Sequence, residues 1–356
     1  MTVLRKVIQI SILFYVVDME FYKSQLNNKQ QFFCDELYKS LKRFMERLKA
    51  PKGLSFDEVT ECVTAVKYDY PELFYVDFSE GLYYTYSDHV EYQPRYHYGK
   101  DETQKRIVAL ESLCNRVVRT LVNGQVASLY KKILWIHNML VRNCVYDHEA
   151  LNDDSKYQAY TLEGPLFHHC GVCQGIAMAF KYLCDRCCGT KMIIARGRSL
   201  EPGQTQYERH AWNIVVFGEN AAHIDVTWDM CITESNRPIR YDYFFLSDLE
   251  MMRDHHYIKY PLCRTSGFSF FEQTKTQFNN QLELRLCLTH KIQDYFHKNA
   301  HGTLCFSFKI KNRRETKEEL NECVKKTIQS TTSRSFQYSW VCNEAQSVFS
   351  FWIDFL

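Results

Sequence analysis

The stretch that decides the reading is Cys170-Gly171-Val172-Cys173-Gln174-Gly175-Ile176-Ala177-Met178-Ala179-Phe180-Lys181-Tyr182-Leu183-Cys184-Asp185-Arg186-Cys187-Cys188-Gly189. Ile176, Phe180, Leu183 and Cys187 recur at three- and four-residue spacing, which predicts a helix with one apolar face, capped by Gly189. Cys173 stands at the amino terminus of that helix. There, unpaired N–H groups and the positive end of the helix dipole favour thiolate over thiol, the state a nucleophilic cysteine needs. Taken alone, a cysteine at a helix start is more often a small buried apolar residue.

Downstream, His210-Ala211-Trp212-Asn213-Ile214-Val215-Val216-Phe217 reads as a strand and Gly218-Glu219 as a turn. Ala222-His223-Ile224-Asp225-Val226-Thr227-Trp228-Asp229 reads as the returning strand. A two-residue turn at Gly218-Glu219 sets His210 opposite Thr227 and Asp225 opposite Trp212. His210 and Asp225 are then diagonal neighbours on one face, ~7–8 Å apart, a gap that side chains can close. An imidazole there could take the Cys173 proton while Asp225 orients the ring, the division of labour of a nucleophile–base–orienter triad.

The ordered motifs Gly171-Val172-Cys173-Gln174-Gly175, His210-Ala211-Trp212-Asn213 and His223-Ile224-Asp225-Val226-Thr227-Trp228-Asp229, followed by Tyr243-Phe244 and Ser247-Asp248, resemble the transglutaminase-like superfamily of papain-type cysteine enzymes, in its bacterial single-domain branch. The likeness covers residues 130–256, including Ile136-His137 and Tyr146-Asp147, and reaches faintly to Pro71-Glu72-Leu73-Phe74. It implies an α+β, papain-like core in which a cysteine-bearing helix packs on an antiparallel sheet, with Cys173 as nucleophile, His210 as base and acid, and Asp225 as orienter. The departures, Ile176, Asn138 and His168-His169-Cys170, concern the groove and not the triad. Trp212, Trp228 and Gln174 are assigned to substrate binding beside it. One oxyanion donor is expected from the Cys173 backbone N–H, and the second is not assignable from sequence.

The implied activity is acyl transfer on peptide or carboxamide substrates through a thioester, with hydrolysis favoured over cross-linking to an amine. A transglutaminase proper and a catalytically idle scaffold that binds peptides or proteins are the alternatives. The triad supplies nucleophile and proton transfer, so no cofactor is expected, and no EF-hand-type acidic loop suggests calcium. Cys170 and Cys173 followed by Cys184 and Cys187 invite a zinc reading, but the intervening helix holds the pairs ~15 Å apart. No metal ligand is therefore assigned. Cys170-x2-Cys173 also has redox-pair spacing, without the βαβ setting that chemistry uses; a Cys170–Cys173 disulfide regulating the nucleophile is left open. Asp254, His255 and His256 read as surface or structural positions.

Working outward, helices are expected over Lys23–Leu48, Phe56–Val66, Asp101–Val122 and Leu129–Arg142, with a β-rich stretch between Pro71 and Tyr98 that turns at Ser87-Asp88. Beyond Tyr257, strands are expected at Leu282–Leu288, Leu304–Ile310 and Val348–Phe355, with helices near His290–Phe296 and Thr316–Ile328. This gives three regions: a helical and β-hairpin extension (1–104), the catalytic core (105–256) and a C-terminal α+β region of unread role (257–356).

The 356 residues carry 44 Lys and Arg against 42 Asp and Glu, a net +2, so no field draws the molecule to nucleic acid or anionic lipid. The basic stretch Lys309–Lys326 reads as a solvated helix face. With 46% hydrophobic residues and 13 Gly, collagen-like and disordered classes are excluded. The 15 cysteines are odd in number and scattered, which suits a reducing compartment, so a cytoplasmic location is expected. Arg5 and Lys6 before the apolar run Val7–Val17 resemble the start of a signal peptide. Asp18-Met19-Glu20 then replaces the small residues of a cleavage site, and eleven positions are too few to span a bilayer. Core packing of that run is expected, with export or anchoring the alternative. The expected partner is a peptide or protein substrate; oligomeric state is unread.

Overall fold

The computed structural model describes residues 20–356 apart from 202, 235–236, 258–259, 265–266, 299–301 and 312–314. The run Val7–Val17 lies outside the described residues. Among those described, no helix is long and apolar enough to cross a membrane. The architecture is mixed α+β, with antiparallel pairings such as that of Glu208–Phe217 with Asn220–Ile224 and short parallel ones of Gln277–Phe278 with Leu304–Ile310 and of Val145–Tyr146 with Cys170–Gly171.

The described residues form two compact units, one made of those up to Val126 together with Leu183–Lys191, the other of Ala127–Tyr182 with Met192–Leu356. In the first, helices Asn28–Lys42 and Phe56–Asp69 each begin with a reciprocal capping box, from Asn27 with Gln30 and from Ser55 with Glu58. They accompany the helix Lys100–Asn123 and a three-stranded sheet in the order Leu48–Lys49, Val90–Tyr96, Val76–Thr85. The tyrosines of this stretch serve packing: Tyr92 is wholly buried, and Tyr75 stacks on Phe44.

The second unit holds the residues singled out above. Its central five-stranded sheet runs in the order His255–His256, Lys191–Ser199, Glu208–Phe217, Asn220–Ile224, Phe244–Leu246. The hairpin register pairs Phe217 with Asn220 and Asn213 with Ile224, so Gly218-Glu219 is the two-residue turn. Gly218 sits at φ 59°, the left-handed conformation such turns demand. One expectation is corrected here: the returning strand stops at Ile224, and Val226–Cys231 is a short helix. Asp225 ends the strand by capping that helix, its Oδ1 accepting the Trp228 N–H at 3.0 Å.

The C-terminal part of this unit is a four-stranded sheet ordered Gln277–Phe278, Leu304–Ile310, Val348–Phe355, Phe336–Asn343. Helices Gln281–His297 and Lys317–Thr331 cover one face, burying Leu284, Leu288 and Ile292 against Phe306, Phe308 and Phe351. Each such side chain contributes about 1.5–3 kcal/mol by leaving water. The strand expected at Leu282–Leu288 is therefore helix. Its alternation of apolar and polar residues imitates a strand, but Asn280 caps the segment through the Glu283 N–H at 3.0 Å. Leu284, Leu288 and Ile292 then fall on one helical stripe, leaving Leu282 and Leu286 exposed. Lys309 is likewise no solvated residue: it is buried and its Nζ meets Glu250 Oε1 at 2.6 Å.

Candidate active site

Cys173 opens the helix Cys173–Cys188, as its position before an apolar stripe predicts. The chain reaches it through Cys170–Gly171, which pairs in parallel with Val145–Tyr146. Two contacts hold the helix where it is. Asn213 Nδ2 donates to the Ala177 carbonyl at 3.0 Å, tying the hairpin to the helix's second turn. A Cβ at Gly175 would lie 2.2 Å from the Ala159 carbonyl oxygen, so only glycine allows this approach two residues past the thiol.

The structure brings Cys173, His210 and Asp225 together. His210 Nε2 meets Asp225 Oδ2 at 2.6 Å, and the Cys173 thiol lies near enough to the same imidazole and to the Ala211 backbone N–H for both to act on its ionisation. Since Asp225 engages Nε2, Nδ1 is the nitrogen left for the sulfur. Asp225 is wholly buried, whereas Cys173 is half-buried.

Burial opposes every charge here, and the neighbours outweigh it. For His210, burial lowers the pKa, but the charge and hydrogen bond of Asp225, then those of Cys173, raise it to about 10. For Cys173, burial pushes the thiol up, while the His210 hydrogen bond and charge with the Ala211 N–H bring it below its ordinary value. Burial likewise raises the Asp225 carboxyl, and His210 and His255 hold it well below the usual carboxylate range. The arrangement favours a thiolate–imidazolium pair steered by a carboxylate. Cys170 contrasts with it: burial, then the charge of Asp147 and a hydrogen bond to it, raise that thiol. Such a thiol is a poor attacking partner for the redox reading.

Trp212 is 1% exposed, stacks on His210 at 5.8 Å and donates its indole N–H to His223 Nδ1 at 3.0 Å. It lies under the imidazole and offers no open wall to a substrate. Trp228 is also buried, 6.1 Å from His210. Gln174 is half-buried and its amide donates to the Tyr160 carbonyl at 2.9 Å.

Sequence reasoning missed two features. Tyr146 stands beside Cys173, its phenol near both the thiol and the Cys173 backbone N–H; burial and then the Cys173 charge raise its pKa. The only signal was its place in the motif Tyr146-Asp147. His255 and Asp254, read above as surface or structural positions, are 1% and 4% exposed. His255 Nε2 lies 3.1 Å from Asp225 Oδ2 and its Nδ1 lies 2.7 Å from Asp254 Oδ1. His256 alone of the three is exposed.

Among the described residues, two clusters have the residue types of a metal centre, His210/Asp225/His255 and His223/Asp248/Cys263. The first is the site just described. In the second, Trp212 can only donate, so His223 Nδ1 is an acceptor and Nε2 keeps the proton that it shares with Asp248 at 3.0 Å and Tyr257 at 2.9 Å. A ring in that tautomer has no lone pair at Nε2 for a metal.

No family model and no curated protein matches the chain. Among the solved structures similar to the chain is one that matches over about half its length. It is described as "Crystal structure of a TGase", shares 16% identity over 55% of this chain and 54% of its own, and superposes with a TM-score of 0.29.

Proposed function

We propose that the protein is a cysteine-dependent acyl-transfer enzyme acting on peptide or carboxamide carbonyls, with Cys173 as nucleophile, His210 as acid and base, and Asp225 as orienter. The reading rests on one observation, the Cys173 thiol set beside a His210 ring whose Nε2 is held by the buried Asp225 carboxylate at 2.6 Å. The motifs resembling the transglutaminase-like superfamily support it independently.

In the reaction, the Cys173 thiolate forms a C–S bond with the substrate carbonyl carbon and the π electrons move onto the oxygen. The tetrahedral intermediate collapses as the imidazolium N–H of His210 passes to the leaving amine, and the C–N bond breaks to give a thioester. His210, now neutral, takes a proton from water as the water oxygen attacks; the carboxylic acid leaves and the thiolate–imidazolium pair returns. The oxyanion donors in this scheme are the Cys173 N–H and the neighbouring Tyr146 hydroxyl. Hydrolysis is favoured over transfer to an amine. Fifteen free thiols and a thiolate nucleophile suit a reducing compartment, and we place the enzyme in the cytoplasm.

Peptide-library digestion followed by mass spectrometry tests this, with wild type and Cys173→Ala, each with and without an added primary amine. New termini that depend on Cys173 are the expected outcome. Amine adducts at glutamine in their place would make the enzyme a transglutaminase, and neither product would favour a binding scaffold.

A further inference from the structure

Behind Asp225 the hydrogen-bonded line does not end. Asp225 Oδ2 is shared by two imidazoles, His210 at 2.6 Å and His255 at 3.1 Å, while its Oδ1 takes the Trp228 N–H. His255 faces a second carboxylate, Asp254, at 2.7 Å through its other nitrogen. Two carboxylates thus flank one ring, one at each nitrogen. Aromatic rings pack around it: Trp228, Trp212 and Tyr243 lie 4.6, 5.1 and 5.7 Å from it, centroid to centroid.

Asp254 is in turn anchored from the C-terminal sheet. Its Oδ2 accepts the Tyr243 hydroxyl at 2.8 Å and the Gln346 amide at 3.0 Å. Gln346 is fully buried, and its Nε2 also donates to the Glu250 carbonyl at 3.1 Å, so two acceptors fix which way the amide points. Asn343 donates to the Tyr243 hydroxyl at 3.1 Å. Asn343 ends one strand of that sheet, and Gln346 lies in the turn that follows it. The strand carrying His255 is pinned on its other side by Lys191–Ser199, where a Cβ at Gly197 would come within 2.3 Å of the His256 carbonyl oxygen.

We propose that His255 and Asp254 are a positioning pair for the triad, braced by Gln346 and Asn343, and that through them the C-terminal region governs how firmly Asp225 holds His210. This rests on the reading of Cys173, His210 and Asp225 as the catalytic triad. His255 touches no reacting atom; it acts by fixing the carboxylate. A carboxylate bound only by His210 and one backbone N–H is free to swing about its Cα–Cβ bond, and each swing releases the imidazole from the sulfur. The titratable groups facing this line are Tyr146 and Cys231 beside the thiol, and His255 and Cys231 beside Asp225.

The test is the rate of Cys173 alkylation by iodoacetamide against pH, read with thermal unfolding, in wild type, His210→Ala, His255→Phe, His255→Gln and Gln346→Leu. Wild type is expected to react below neutral pH, and His210→Ala to lose that reactivity. His255→Phe should react about tenfold more slowly at pH 6, the loss of one charge-assisted hydrogen bond, with its acid limb moved upward. His255→Gln, whose amide can still donate to Asp225, should recover most of the rate. Gln346→Leu, which removes no titratable group, should shift the limb in the same direction by less. A role confined to stability would lower the unfolding temperature and leave the limb in place. A wild-type limb in a folded His255→Phe overturns the proposal; if that variant does not fold, a wild-type limb in both His255→Gln and Gln346→Leu overturns it. A wild-type protein without His210-dependent reactivity would sink the triad reading instead.

Discussion

His210 is the residue through which the site's chemistry is set. Its raised pKa, about 10, and the lowered one of Cys173 bound a pH window in which sulfur and ring are both charged. Activity is expected to rise as pH climbs through the lowered thiol pKa, and to fall as His210 loses, near pH 10, the proton it gives to the leaving amine. A pH profile of turnover in wild type and Asp225→Asn checks this. Replacing the carboxylate removes the charge that sustains the imidazolium, so the alkaline limb should move down and the maximal rate drop by about 10⁴-fold, as in other triads that lose their orienter. The same charges affect stability with opposite signs. Asp225, held low, stabilises the fold above the unfolded carboxylate pKa, and that contribution is lost as pH falls. His210, held high, stabilises it below the unfolded histidine pKa, and that contribution is lost as pH rises through about 10.

Among the elements, the helix Cys173–Cys188 depends on its glycine. Gly175→Ala drives a methyl group into the Ala159 carbonyl, and backbone cannot yield as a flexible side chain does. A loss of about 1–3 kcal/mol in chemical denaturation is expected, with slowed alkylation of Cys173. Ala at Gly189, which has no neighbouring atom within 4 Å but sits at φ 67°, should cost about 1 kcal/mol and leave the thiol's reactivity alone. At this scale the sequence was readable where a local rule governs. The apolar stripe placed Cys173 on its helix start, and the two-residue turn set the register that brings His210 to Asp225. Asp225 hid its second role because a helix cap and a strand end look alike in an alternating run. Leu282–Leu288 misled for a related reason, since its period of two was overridden by the Asn280 cap. His255 was illegible: it lies thirty residues beyond Asp225 on a two-residue strand, too short to show any period, and only tertiary packing brings it back.

At the scale of the second unit, what joins the central sheet to the C-terminal one is polar as well as apolar. Lys309 and Glu250 form a buried pair, and Glu250 also accepts from the Ser247 hydroxyl at 2.7 Å and the Ser247 N–H at 3.0 Å. Burial opposes ionisation of both, and their mutual attraction keeps the Glu250 carboxyl below its ordinary range. Lys309→Met strands that carboxylate in the interior. It should lower stability by about 3–5 kcal/mol in urea unfolding, with part of the loss recovered in Lys309→Met/Glu250→Gln. Neither the pairing nor the bracing by Gln346 was foreseeable, because Lys309 sits in a run of charges whose ordinary place is the surface.

The indole of Trp212, lying nearly parallel to the His210 ring at an interplanar angle of 18°, gives that ring's ionisation an optical voice. A cation held against an aromatic face perturbs its excited state, so the light this tryptophan emits is coupled to whether a proton rests on the imidazole beside it. The emission of Trp212 is therefore expected to change as His210 loses its proton, a signal that needs no added label and that a tryptophan fluorescence titration of wild type and Trp212→Phe checks.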